Sequence, residues 1–464
     1  MSREAFVDSS RFEFTSRTDY SYVSEKGFTE SLVREISGRK DEPGWMLQLR
    51  LNSFRAFSRI HDPSFGVDTG LLDLGEIVAY LKPNASRERA WEDLPVEIRE
   101  TFEKLGIPEA ERNSLSGAGA QYDSEVVYQN IKRELEELGV VFLDMESAVK
   151  EYPELVKKYF MKAVPATDHK YSALHGAVWS GGSFVYVPKN IKVKQPLQAY
   201  FRMNAASSGQ FEHTLIVADE GSELQFIEGC SAPRFNELNL HVGMVEIFVL
   251  KGARVRYSTI QNWSKNTYNL NTKRAIVEED GTMEWISGSL GSMKTMLYPT
   301  TVLKGRRARA EHLGITYAGP GQHMDTGSKV IHLAPETSSI VDARSISTGG
   351  GWAFYRGLLD ISERAVNSKS AVQCTAMMID NDSRSDTLPI ISVDNSSSNI
   401  GHEARIGRIS EEQIFYLMSR GLSESEAKAM IVRGFVEPVA KQFPVEYAVE
   451  LNRLINLEIE GSIG

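Results

Sequence analysis

The chain has 464 residues, of which 41% are hydrophobic and 25% are charged, and its formal net charge is −10. This is the composition of an ordinary protein with a large core. The acidic balance argues against a nucleic-acid partner, since a phosphate-binding surface needs a local excess of Lys and Arg. The sequence contains no run of about 18 apolar residues and no apolar leader, so we expect a cytoplasmic protein without a membrane partner.

The chain has two cysteines, Cys230 and Cys374. A disulfide framework needs several closely spaced cysteines, so we expect both thiols to be reduced. Each lone thiol is, by itself, more typical of a small buried residue than of a reactive one.

Residues 1–165 are predicted to be mostly helical. Apolar residues recur at helical spacing in residues 30–36, 46–57 and 123–139. The first 25 residues and residues 114–120 are predicted to be mobile, the latter because they are rich in Gly, Ala and Ser.

Residues 166–392 are predicted to form a β domain, because the hydrophobic period changes to two and no helix signal interrupts it from residue 172 to 389. A turn followed by alternating apolar and polar residues recurs at intervals of roughly 24 to 31 residues, which is about the length of one coil of a β-solenoid. The turns are marked by Gly221, Gly252, Gly281, Gly305 and Glu336. A β-sandwich would give similar alternation and is the structural alternative.

Residues 393–464 are predicted to return to helix. Ser410 with Gln413, and Ser423 with Glu426, have the spacing of capping boxes, and a third helix is expected after Pro444. The pattern alone favours packing of these helices on the β domain over binding of a partner.

Several motifs, in the same order along the chain, resemble the SufB/SufD family of iron–sulfur cluster assembly proteins, from about residue 28 to the C-terminus. They are LHGAVWSGGSFVYVP (174–188), YFRMN (200–204), EGCSAP (228–233), IQNW (260–263), NTKRA (271–275), IHLAP (331–335), YRG (355–357), GHEA (401–404) and ISEEQIFY (409–416). The segment KDEPGWML (40–47) resembles the cluster-carrying SufB branch more than the structural SufD branch.

The resemblance implies a mainly β fold with α, a right-handed parallel β-helix core flanked by helical N- and C-terminal regions. It implies a complex with SufC, an ABC-type ATPase, docked on residues 413–443. No phosphate loop ending in Gly-Lys-Ser/Thr occurs here, so we expect a scaffold rather than an enzyme, with ATP hydrolysed by that partner. The second subunit is either SufD or another copy of this chain.

The resemblance makes Cys230 the acceptor of persulfide sulfur from a cysteine desulfurase or its relay protein. Only a thiolate can accept sulfur, so a lowered pKa or cationic neighbours are expected. The residues that match the interior route from this cysteine to the assembly site are Arg202, Asn204, Gln261, Trp263 and Lys273.

His402 and Glu403 match the ligands of the transient iron–sulfur cluster. The position that we align with Ser383 commonly carries a cysteine, which leaves three alternatives: oxygen ligands from Asp382 or Asp386, recruitment of Cys374, or a cluster shared by two copies of the chain. The strand pattern around Cys374 favours a structural role.

Two points stay open at the level of sequence. FAD is a possible reductant. A SufD-like structural subunit without its own cluster is the alternative function, supported by the serine at 383 and opposed by Cys230, His402 and Glu403.

A solenoid polysaccharide lyase or hydrolase would need paired acids on one face, and no pair is marked by spacing.

Overall fold

The computed structural model describes residues 14–233, 235–444, 447–448 and 451–455, with only the backbone of residue 112. The helices in these ranges are α1 (Glu30–Arg39), α2 (Gly44–Phe57), α3 (Val96–Lys104), α4 (Ile107–Ser114), α5 (Arg133–Glu137), α6 (Met145–Glu151), α7 (Pro153–Tyr159), α8 (Lys170–Val178), α9 (Glu411–Ser419) and α10 (Glu424–Ala440).

The strands are β1 (Tyr20–Val23), β2 (Leu81–Pro83), β3 (Gly117–Tyr122), β4 (Glu125–Ile131), β5 (Val141–Asp144), β6 (Ser183–Val187), β7 (Leu197–Arg202), β8 (Gly209–Gln210), β9 (His213–Ala218), β10 (Glu223–Ser231), β11 (Asn239–His241), β12 (Met244–Val249), β13 (Arg254–Trp263), β14 (Thr267–Val277), β15 (Thr282–Gly291), β16 (Lys294–Leu297), β17 (Thr300–Leu303), β18 (Arg309–Ala318), β19 (His323–His332), β20 (Ser338–Ser347), β21 (Trp352–Ile361), β22 (Lys369–Met378), β23 (Arg384–Val393) and β24 (Asn399–Arg408).

The long strands form a parallel β-solenoid of about eight turns with helices at both ends of the chain, which confirms the predicted fold class. A ten-stranded sheet has the order β24-β22-β20-β18-β15-β13-β10-β7-β3-β4, and a twelve-stranded sheet runs from β23 to β5. Because successive strands alternate between the sheets, each coil supplies one layer of side chains to the space between them.

The recurring turns stack at one corner of the solenoid. Gly221 and Gly252 have φ values of 68° and 66°, and the equivalent residues Asp280, Arg307 and Glu336 also have positive φ. The left-handed conformation is easiest for glycine, which explains Gly221 and Gly252; at the next two turns the left-handed residue is Asp280 or Arg307, next to or near the marked Gly281 and Gly305. Each turn N–H bonds to the next coil, as Gly221 N does to the carbonyl of Lys251 at 2.9 Å.

Three local predictions for the N-terminal half were wrong. Residues 114–120 are not mobile, because most of them form the buried strand β3 between β4 and β7; a side chain at Gly117 would lie 2.7 Å from the carbonyl of Asn130. The segment 123–139, predicted as one helix, instead contains β4, which is followed by the short α5. The β domain is interrupted by α8, whose residues from Tyr171 onward are all buried and therefore show no amphipathic period.

The termini also differ from the expected boundaries. Residues 1–13 lie outside the described part of the chain, but Tyr20–Val23, predicted to be mobile, pairs with β2. The sheet continues past residue 392, because β24 pairs along its whole length with β22. Ser410 and Ser423 cap α9 and α10 as predicted, and residues 451–455 are helical beyond them.

Candidate functional site

Cys230 lies inside the solenoid near the end of β10. It is opposite Phe201 on β7 and Gln261 on β13, and it belongs to the core between the two sheets with 2% of its surface exposed. Gln261, Trp263 and Lys273 are also at most 1% exposed. The structure therefore places the proposed acceptor in an enclosed interior.

The electrostatic surroundings of Cys230 contradict the expected low pKa. Burial raises the pKa of the thiol well above its ordinary value, and the carboxylates Glu228 and Glu212 raise it further; only Lys273 acts in the opposite direction. Since Lys273 already pairs with Glu228, its charge is largely compensated. The enclosed resting site favours the protonated thiol.

Glu228 is the centre of a buried polar cluster. Lys273 donates from Nζ to Glu228 Oε1 at 2.6 Å, Thr259 donates to the same oxygen at 3.1 Å, and the Tyr257 hydroxyl donates to Oε2. Burial opposes ionisation of Glu228, but Lys273 and these donors outweigh it and lower the pKa of the carboxyl. The cluster therefore keeps a charged carboxylate beside Cys230.

A second cluster surrounds His241. Its Nε2 lies 2.5 Å from Glu212 Oε1 and its Nδ1 lies 2.8 Å from Asn269 Oδ1. Asn269 donates in turn to Gln261 Oε1 at 2.7 Å, and the Trp263 ring lies 4.1 Å from the imidazole, centroid to centroid. Gln261, Trp263 and Lys273 thus lie in the buried region around Cys230.

Arg202 and Asn204 lie elsewhere. Arg202 is opposite Ser231, so it faces the other side of the sheet from Cys230, and it donates to Ser231 Oγ at 3.0 Å and to the carbonyl of Phe14 at 2.6 Å. Asn204 donates to the carbonyl of Ser16 at 2.9 Å. Burial lowers the pKa of Arg202 to about 10. These two residues hold the N-terminal segment against the outer face.

The register of the ten-stranded sheet aligns one side chain from each strand with Cys230. This first inner row is Cys230, Gln261, Ser289, Thr316, Ser345, Ala376 and Ile406. The second inner row, two residues back on each strand, is Glu228, Thr259, Ser287, Gly314, Ala343, Cys374 and Ala404. Beyond Gln261 both rows consist mainly of small residues, which leaves space between the sheets.

That space contains a cavity of about 50 Å³. It begins at Ser287 and Ser289, two strands from Cys230, and extends to Cys374 and Ile406. Hydroxyl groups and small side chains line most of it. The two cysteines of the chain therefore lie at opposite ends of one small-residue path.

Cys374 is 5% exposed and lies on β22 at the far end of the cavity. Burial raises the pKa of its thiol to about 11, while hydrogen bonds with Tyr355 and Thr387 lower it. Tyr355 is itself bonded to Ser328 at 2.7 Å. The strand around Cys374 agrees with the strand that the sequence pattern predicted there. The cavity gives the thiol access to the interior of the solenoid.

His402 and Glu403 are exposed residues of β24, which forms the edge of the ten-stranded sheet. His402 lies opposite Val372 and borders a smaller space beside Tyr355, so it faces the inner side. Glu403 pairs with Arg405 at 2.6 Å. His402 therefore lies on β24, the strand next to β22, which carries Cys374.

Ser383 and the nearby carboxylates belong to the turn between β22 and β23 and to the start of β23. Ser383 accepts from Gly350 N at 3.2 Å, and Asp386 accepts from Trp352 Nε1 at 2.7 Å and Arg384 Nε at 2.6 Å. Asp382 is exposed. Within the described ranges, no three His, Cys, Asp or Glu side chains are grouped to hold a metal ion.

Sequence reasoning missed Glu228, Glu212 and His241, as well as the serines and threonine of the inner rows. The available signal was positional: small polar residues recur at the same place in successive coils, about one repeat apart. The register needed to align them is set by the sheet and is not visible in any single segment. Among the described residues, no helix is long and apolar enough to cross a membrane.

The fold and site define a parallel β-solenoid protein with a buried thiol at one end of a polar interior path. Residues 201–435 match the family model "SUF system FeS cluster assembly, SufBD core domain", and residues 44–199 match "SufBD protein N-terminal region". The chain is 54% identical over 443 residues to iron–sulfur cluster assembly SufBD family proteins of Staphylococcus saprophyticus and Staphylococcus aureus, covering 96% of this chain and 95% of each relative. The chain belongs to the SufBD family of iron–sulfur cluster assembly proteins.

Proposed function

We propose that this chain is a cytoplasmic scaffold subunit that accepts persulfide sulfur at Cys230 and builds an iron–sulfur cluster for transfer near Cys374 and His402. The observation that carries the proposal is the pair of inner rows, in which mainly small Ser, Thr, Gly and Ala side chains follow Gln261 and line a cavity that begins two strands from Cys230 and reaches Cys374. A purely structural solenoid would fill this space with large apolar residues.

Sulfur acceptance is a thiol–persulfide exchange. The Cys230 thiolate attacks the outer sulfur of a persulfide on the cysteine desulfurase or its relay protein; the donor S–S bond breaks, a new S–S bond forms on Cys230, and the donor leaves as a thiolate. The proton of the Cys230 thiol goes to the leaving donor thiolate, because Glu228, whose own pKa is lowered, is a weak base. Because the resting pKa is raised, donor docking must open or polarise this site before reaction.

Passage beyond Cys230 uses the polar groups of the interior. Gln261 Nε2, Trp263 Nε1 and Glu212 Oε2 are buried and have no hydrogen-bond partner among the described residues. Such atoms are rare in folded proteins and here border the start of the path. We infer that they contact sulfur in transit, with Lys273 as the nearby positive charge.

Assembly is assigned to Cys374 and His402, which face the same side of the sheet, as ligands of the cluster, which is the cargo of the scaffold. Glu403 follows His402 on β24 and faces the other side, so we assign it as a ligand only in a cluster shared with a second chain. Thiolate and imidazole are common iron ligands, and Cys374 takes the role ahead of Asp382 or Asp386 because it lies on the path. Persulfide sulfur must gain two electrons to become sulfide. FAD is the candidate donor in the proposed complex, and reconstitution with and without reduced FAD tests it.

The SufC-type ATPase is assigned to the C-terminal helices. Phe415, Tyr416, Met418 and Met430 are 74, 56, 43 and 50% exposed on α9 and α10. Large apolar side chains exposed together mark protein interfaces. We therefore propose that these helices dock the ATPase, which hydrolyses ATP while this chain acts as the scaffold.

A second scaffold chain is assigned to the open end of the solenoid. Leu388, Ile390, Ile391, Val393 and Ile406 are 38–49% exposed on β23 and β24. An edge strand with apolar residues is a template for pairing with another chain. That chain is SufD or another copy of this one, and pairing would cover His402 and Glu403.

The test is anaerobic reconstitution with the ATPase partner, iron and sulfide, followed by Mössbauer spectroscopy of the wild type and of His402→Ala/Glu403→Ala. A cluster in the wild type that is lost in the variant supports the scaffold. Absence of a cluster in the wild type favours the SufD-like structural role, in which the exposed edge serves only for pairing.

A further inference from the structure

A separate cleft of about 400 Å³ lies against the outer face of the twelve-stranded sheet. It is enclosed by residues 60–65, which follow α2, and by residues 168–171 at the start of α8. The volume is within the range of small-molecule sites. Its apolar walls are formed by Ile60, Pro63, Phe65, Leu270, Met296 and Tyr298.

Two cations line the cleft in a row set by the sheet. Arg274 on β14 is opposite Thr300 on β17, which is opposite Lys329 on β19. Neighbouring strands are about 4.8 Å apart, so the two cationic residues are about 10 Å apart along the backbone, with a hydroxyl between them. This spacing leaves room for one anionic group.

The local charge is positive. Arg274 makes a two-bond ion pair with Asp168 at 3.0 Å, and Arg356 pairs with Asp325 at 2.9 Å. Lys329 has no carboxylate within ion-pair distance in the part of the chain that the structure describes. Burial and Arg274 lower the pKa of Lys329.

Among the described residues, the remaining contacts in the cleft leave the Lys329 ammonium without a carboxylate partner. The Lys329 ammonium lies 5.0 Å from the ring centroid of Tyr298 and 5.8 Å from that of Phe65. Arg274 Nε is buried and has no hydrogen-bond partner within the described ranges. His169 adds no charge, because burial lowers the pKa of its imidazole to about 4.

We propose that this cleft binds a small ligand in which a planar ring carries an anionic group, either a phosphate or a carboxylate. The anionic group lies over Thr300 between Lys329 and Arg274, and the ring packs against Phe65 and Tyr298. An anion supplies the missing partner of Lys329, while the aromatic walls select a flat apolar body.

The experiment is a fluorescence titration of the full chain with 1-naphthyl phosphate and, as the second arm, 1-naphthoate. We expect saturable binding of at least one of these two anions. 1-Naphthol lacks the anionic group and inorganic phosphate lacks the ring, so each should bind at least about tenfold more weakly. The tighter of the two anions identifies the headgroup.

Variants separate the site from nonspecific binding. Lys329→Met removes the charge that has no carboxylate partner. We expect it to weaken binding of whichever naphthyl anion binds more tightly by at least about tenfold. The matched control is Lys304→Met, whose side chain is 59% exposed, pairs with Glu278 and lies outside the cleft. No saturable binding of either anion, or equal binding by both variants, overturns the proposal.

Discussion

Cys374 and His402 lie on neighbouring strands and face the same interior. On β22 and β24, Val372 is opposite His402 and Cys374 is opposite Ala404. Two residues along a strand span about 7 Å, and Tyr355 lines both the cavity that contains Cys374 and the smaller space that His402 borders. His402 lies on the edge strand β24, which is open to a second chain, and Cys374 lies on the next strand inward.

Cys230→Ala should abolish sulfur loading and leave the fold intact, because the change removes a single sulfur atom from a large core. The measurement is intact-protein mass spectrometry after incubation with a desulfurase and its cysteine substrate. Cys374→Ser is the control and should still gain sulfur at Cys230. Normal cluster yield by Cys230→Ala would exclude the acceptor role.

Ala376→Leu should leave sulfur loading of Cys230 unchanged and reduce cluster yield to background, because the larger side chain fills the cavity between the cysteines. Overpacking should cost about 1–3 kcal/mol of stability. The matched control is Ala371→Leu on the outer face of the same strand, which is exposed. Equal cluster yields in the two variants would show that sulfur does not use this cavity.

Glu228→Gln should lower the pKa of Cys230, and Lys273→Met should raise it, because the carboxylate opposes the thiolate and the ammonium favours it. Thiolate absorbance near 240 nm against pH, in a Cys374→Ser background, measures both shifts. Shifts of the same sign in the two variants would contradict this electrostatic account.

Lys273→Met should also destabilise the chain by about 3–5 kcal/mol at neutral pH, because it leaves Glu228 buried without its partner. The folded chain lowers the pKa of Glu228, so the pair stabilises the protein above the ordinary carboxyl range and loses this effect as pH falls through the lowered value. Chemical denaturation at neutral and acidic pH should show the difference between variant and wild type shrinking in acid.

Phe415→Asp should weaken ATPase binding by about 2 kcal/mol or more, about thirtyfold in Kd, since it puts a charge into an apolar contact. Isothermal titration with the purified ATPase measures the change. Leu71→Asp is the control, because Leu71 is 69% exposed outside the C-terminal helices. Unchanged binding by Phe415→Asp would place the partner elsewhere.

Ile390→Lys should release the second scaffold chain, because a charge on the edge strand disfavours pairing. Light scattering should show that the mass of the complex falls by the mass of one scaffold chain. Ile340→Lys is the matched control: Ile340 is 54% exposed, but it lies on the internal strand β20. Loss of the second chain in both variants would point to general destabilisation.

The sequence by itself determined the features that depend on neighbouring residues. Period-two alternation predicted the strands, recurring turn residues such as Gly221 and Gly252 predicted the corners of the coils, and Ser410 and Ser423 predicted the starts of α9 and α10. These signals are local because backbone conformation and helix capping are satisfied within a few residues. Family motifs singled out Cys230, His402 and Glu403 in the same way.

Only the tertiary structure decided which of these residues meet. Register placed Gln261 beside Cys230 and Arg202 on the opposite face, although both match the same family route. It also buried β3, whose small residues had predicted mobility, and surrounded the Cys230 thiol with carboxylates that raise its pKa. Pairing and burial join residues about thirty positions apart, so no single segment of the sequence contains them.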